Sequence, residues 1–216
     1  MSVVEPGSAG PRLAGRVWAM LSRPAPTWDA IEAEPATLKG LYRDWIAPLA
    51  AIPAVCGAIG LLVFGIGIFG VGLRPHLVPA IAEMLVGYAV ALAEVYILAV
   101  AIDLLAPTFG GVRNQMQAFK LVAYSGAAAW VAGVLALYPS VGWLAGMLGG
   151  LYSLYLLYLG LPKLMKAPQE QVLTYFAVVL LLAVTVALVL GGVTERIRDL
   201  GGPMTMAAAR VQSSPA

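Results

Sequence analysis

Between Lys120 and Lys163 the chain carries no charged side chain. A single membrane helix needs roughly 20 apolar residues to cross the bilayer. The uncharged run 121–162 is about twice that long. Tyr138-Pro139-Ser140 breaks the run near its middle, and Gly142 follows. The pattern predicts two membrane helices folded back on each other, 119–137 and 141–161. In hydrocarbon every backbone polar group must be satisfied internally, and a helix does this within one segment.

The rest of the chain fits the same solvent. Hydrophobic residues make up 61% and charged residues only 11%. An ordinary soluble domain carries roughly 25% charged residues. A first uncharged stretch, 45–73, predicts a span over about 46–67 with a glycine-rich exit. A second runs over 78–105, interrupted by Glu83, Glu94 and Asp103. A last covers 172–193. The expected fold is all-α: a polytopic transmembrane helical bundle of five spans over 45–193, with an N-terminal segment (1–44) and a polar tail (194–216). A four-span arrangement would make the first run re-entrant. Tyr42 and Trp45 fall at the start of the first span, where amphipathic rings favour the membrane interface.

Basic residues set the expected orientation. With the N-terminus cytoplasmic and the C-terminus outside, nine Lys and Arg lie inside and four outside. The net charge of +2, with no basic run, gives no reason to expect a nucleic-acid partner. The lipid bilayer is the expected partner. Residues 1–11 read as a disordered tail, with no cleavable signal sequence. Leu13, Val17, Met20 and Leu21 share one face of a short helix over 12–23, flanked by Arg12, Arg16 and Arg23. Pro24 and Pro26 stop it. Thr27 is placed to cap a second helix carrying Trp28 and Ile31, which Pro35 ends. Both are expected to lie on the cytoplasmic face of the bilayer.

Intramembrane acids mark candidate sites. Glu94 sits mid-span, where an ionised group costs roughly 2.5–3.5 kcal/mol. Glu83, three turns earlier, is expected on the same face. Asp103 lies near the inner end, within reach of Arg113 or Lys120. Tyr152, Tyr155 and Tyr158 recur every third residue, as an aromatic belt with interhelical hydrogen bonds or as a cavity lining. Gly142, Gly146 and Gly150 repeat every fourth residue, a pattern that lets helices approach closely. Gly126 and Gly133 of the third span are their expected partners, with a second copy of the chain as the other possibility.

Other motifs carry no chemistry. Gly65-Ile-Gly-Ile-Phe-Gly70 matches a dinucleotide fingerprint, but it ends a membrane span and has no βαβ unit around it. His76, the single histidine, has no metal-spaced companions. Cys56, the single cysteine, reads as a small hydrophobe. No hydrolase, protease or nucleotide-binding sequence is present. Neither an enzyme nor a cofactor is expected.

Gln117-Ala-Phe-Lys-Leu-Val-Ala-Tyr-Ser125, Trp130, Leu151-Tyr-Ser-Leu-Tyr-Leu-Leu-Tyr-Leu-Gly-Leu-Pro162 and Lys166-Ala-Pro168, with residues 21–35, resemble the bacterial branch of the Yip family (Ypt/Rab-interacting membrane proteins). The resemblance covers about 16–192 and takes in the Tyr124-Ser125 pair. It implies five spans, a cytosolic N-terminal segment and a non-enzymatic role in a bacterial inner membrane. Eukaryotic relatives bind small prenylated GTPases. Their acidic Tyr-Gly-Pro motif is missing here, with Leu41-Tyr-Arg-Asp44 in its place, which puts GTPase binding in doubt. The expectation is a protein that organises membrane or recruits partners, with a protein partner or a second copy bound. The competing expectation is a small transporter or channel that uses Glu94, with Glu83 and the tyrosines as lining.

Overall fold

The computed structural model describes residues 9–65 and 77–212, and the side chains within them except at 9–12, 79, 139 and 197–212. The dinucleotide-like segment beyond Gly65, Arg74, His76 and most of the expected N-terminal tail lie outside the described residues. Among the described residues there is no strand. The helices are α1 (Ala9–Ser22), α2 (Pro24–Ala33), α3 (Leu38–Leu41), α4 (Ala47–Phe64), α5 (Leu77–Leu105), α6 (Gln115–Ser125), α7 (Ala127–Ala132), α8 (Pro139–Leu164) and α9 (Gln169–Gln212).

Five stretches are long and apolar enough to cross a membrane: Leu38–Phe64, Ala80–Phe109, Gln115–Leu137, Ser140–Leu164 and Gln169–Arg196. The first joins α3 to α4 through a π-helical turn, Tyr42–Ile46. Such a turn inserts an extra residue. Trp45, Ile46, Leu49 and Ala50 are all buried around it. This span begins at Leu38, earlier than its uncharged run suggested, and it ends at Phe64, capped by Gly65 at φ 73°. The third span also starts early, because the Asn114 side chain accepts from the Gln117 amide and caps α6. It is not one helix. Gly126 interrupts it between α6 and α7, and its last turn, Gly133–Leu137, is 3-10.

Half of the third span's most apolar window is buried, against 6% in the fifth. The third span is therefore central, and the fifth lies at the rim. Glycines permit the central contacts. A Cβ at Gly133 would lie 2.5 Å from that of Pro53, and one at Gly60 would strike the Ala136 carbonyl. On the other side, a Cβ at Gly149 would lie 2.5 Å from that of Ala132. Gly142 abuts Ala136 at the hairpin turn, which falls at Tyr138 as the sequence pattern places it.

The seam on α8 differs from the expected one. It runs through Gly142, Ala145, Gly149, Leu156 and Gly160, while Gly146 and Gly150 have open space beside them. Steps of four residues drift about 40° per step, whereas steps of three and four together hold one face. α9 continues helically to Gln212, through the stretch read as a polar tail from 194.

Candidate functional site

α1 and α2 sit on the end of the bundle where the second span ends and the third begins. They do not simply lie flat on lipid, as their composition suggested. Met20 of α1 and Trp28 and Ile31 of α2 are fully buried among the spans. Trp28 fills a slot that only glycine leaves open, since a Cβ at Gly160 would lie 2.7 Å from its ring. Pro24 starts α2 rather than only stopping α1, and Arg23 is its N-cap residue. Thr27 therefore lies inside α2, where its hydroxyl donates to the Arg23 and Ala19 carbonyls.

Lys120 holds this arrangement from the third span. The residue is 3% exposed, and its ammonium donates to the Ile31 carbonyl at 2.8 Å and the Glu34 carbonyl at 2.5 Å. These carbonyls close the C-terminus of α2, where a cation also meets the negative end of the helix dipole. Gln117 donates to the Glu32 carbonyl at 3.0 Å. Lys163 pairs with Asp29, and Lys166 with Glu32. Arg16 pairs with Glu34 and donates to the Tyr124 hydroxyl at 3.2 Å. Burial pulls the Arg16 guanidinium down, but its contacts with Glu34 and Tyr124 outweigh that and hold it above the ordinary arginine value. It stays charged throughout.

Tyr124 is the centre of an aromatic group. Its ring lies 4.4 Å from Trp45 and meets Trp28 edge-on at 6.4 Å. The Trp45 indole donates to the Ala123 carbonyl at 2.9 Å, and Tyr42 to the Leu92 carbonyl at 3.0 Å. These two rings hold helices together through backbone carbonyls. Tyr152 donates to the Leu21 carbonyl at 2.6 Å. Asp103 pairs with Arg113 at 3.3 Å, not with Lys120. Beside it Tyr175, which the sequence did not single out, donates to the Ile102 carbonyl at 2.5 Å.

The two membrane acids line different cavities, which share Ala91 in their walls. Glu83 lines a cavity of about 440 Å³ between α4 and α5. Glu94 lines a different one of about 200 Å³, with Ser125, Ser153 and Trp130 in its wall. Gly126 lies in the same wall, under the Trp130 ring. Tyr152, Tyr155 and Tyr158 line neither cavity. Tyr155 and Tyr158 face outward, with Tyr158 edge-on to Phe176. Among the described residues no group of His, Cys, Asp and Glu could hold a metal ion. Cys56 is free and half-buried.

Five apolar spans, with the broken third central among them, define a polytopic α-helical membrane protein. The Yip1 domain matches residues 18–191, so the chain belongs to the Yip family. It is 30% identical over 183 residues to the inner membrane protein YohC of Escherichia coli K12, a match covering 82% of this chain and 93% of that protein. YohC of E. coli O6:H1 matches to the same extent. No solved structure matches. The protein is thus a multi-pass protein of a bacterial inner membrane.

Proposed function

We propose that this protein is a non-enzymatic membrane organiser that recruits a partner at the end carrying α1 and α2. The observation behind this reading is the latch. Lys120, Arg16 and Lys163 fix two short helices to the bundle through contacts that a mere tether would not need. The result is a firm surface that presents Trp18, 72% exposed. The bundle's polar groups support a structural role, since Lys120, Tyr42, Trp45, Tyr152 and Tyr175 each bind a backbone carbonyl. This end faces the cytoplasm in the proposal, in keeping with the nine basic residues assigned to that side.

The test places a photoreactive amino acid at position 22, on the exposed face of α1, and compares cross-linked products in cells. Trp18→Ala should change the products while leaving protein level and membrane insertion intact. Identical products from both chains would overturn the proposal. The transport reading has less to rest on: Glu83 and Glu94 line different cavities that share only Ala91 in their walls, and the tyrosines line neither.

A further inference from the structure

The cavity beside Glu94 has a chemistry that the latch does not use. Among the described residues, the Glu94 carboxyl has no hydrogen-bond or ion-pair partner, and it is the only charged or titratable side chain in the cavity wall. It lies at the middle of the second span, where a lone carboxylate is costly and a counter-cation or a proton must offset its charge. Two hydroxyls share the wall. Ser125 donates to the Val122 carbonyl at 3.1 Å, which leaves its oxygen free to accept. Ser153 accepts from the Ala129 amide at 3.0 Å and keeps its own hydrogen. The Trp130 ring covers the helix break, where a Cβ at Gly126 would lie 3.2 Å from it. Val95, Leu98 and Leu157 are among the aliphatic side chains of the remaining wall.

This inventory discriminates between cations. A hard inorganic ion such as Ca²⁺ needs about six to eight oxygen ligands. Glu94, Ser125 and Ser153 offer at most four side-chain oxygens, and both hydroxyls are already bonded. An alkylammonium needs one opposite charge, an aromatic surface and an apolar sheath. The volume lies below the roughly 300–1,000 Å³ of drug-sized pockets, which suits a small occupant. We propose that the Glu94 cavity is a binding site for a small alkylammonium cation, held by the Glu94 carboxylate against Trp130 and the aliphatic wall.

The test uses the full chain in lipid nanodiscs, with tetramethylammonium or tetraethylammonium chloride as probe and sodium chloride as the ionic control. Carbodiimide modification of Glu94, read by mass spectrometry, should slow severalfold with the organic cations, while that of Glu83 should not. The thermal midpoint should rise with the same probes in the wild type but not in Glu94→Gln. It decides alone if the reagent fails to reach Glu94. Trp130→Leu should weaken the midpoint response without abolishing it. Equal effects from sodium chloride, no effect from any cation, or an undiminished midpoint response in Glu94→Gln would each overturn the proposal.

Discussion

Replacing Lys120 by methionine should loosen α1 and α2 while leaving the five spans in place. The ammonium makes two short bonds, to the Ile31 and Glu34 carbonyls, in a site almost closed to water. Leaving a buried acceptor unpartnered costs about 1–3 kcal/mol, so two would cost about 2–6 kcal/mol. Two effects reduce this. Methionine removes the desolvation penalty of a buried cation, which is several kcal/mol. The Glu34 carbonyl also lies near the edge, where water can replace the lost donor. The expected net loss in docking is about 2–3 kcal/mol. The burial of Trp28, Ile31 and Met20, about 1.5–3 kcal/mol each, keeps the docked state dominant. The undocked fraction should still rise roughly 30- to 140-fold. Amide hydrogen exchange reads that fraction directly. Exchange in Trp28–Ala33 should accelerate by that factor, while α6 amides keep their protection. The exposed Arg43→Met serves as a control and should change neither. Unchanged exchange in α2 would refute the reasoning, as would equal acceleration in α6.

Two further substitutions probe the packing seams. Gly149→Leu would drive a side chain into Ala132 and the Ala128 carbonyl and should cost at least about 1–3 kcal/mol, lowering the thermal midpoint in detergent. Gly146→Leu, with open space beside it, should leave both midpoint and oligomer size unchanged; a smaller oligomer would instead mark that face as a contact between copies. Gly160→Ala should push Trp28 from its slot and speed exchange in α2, and a protected α2 in that variant would argue against the slot.

The spans were legible because hydrocarbon imposes length and polarity on every helix that crosses it. The long uncharged run after Lys120 and its Tyr138-Pro139 break needed no other information. What could not be read was which neighbour each face meets. Trp45 beside a charged boundary looks the same whether its indole finds a headgroup or the Ala123 carbonyl. Lys120 looked like a charge at a loop end, because its carbonyl partners lie 86 to 89 residues away in the chain. The α8 glycines stood out at period four, but the crossing geometry selected Gly142 and Gly149, seven apart, the spacing that keeps a helix seam on one partner. Glu94 and Glu83 stand eleven residues apart, a spacing that suggested one shared site. Their separation into two cavities depends on which other helices pack beside each.

The docked α2 also constrains the order in which the molecule is assembled. Lys163 reaches back to the Ala25 carbonyl across 138 residues, and Trp28 rests on the same helix at Gly160. At ~5–20 residues per second, roughly 7–28 s separate the synthesis of the two partners. During that interval Trp28 and Ile31 have no slot to enter, and the earlier spans are already joining the bilayer. α1 and α2 thus leave the ribosome before the spans they dock on, yet reach their final place after them. Their docking reports that the fourth span has arrived, so a folding defect in the hairpin should first become visible at the opposite end of the sequence.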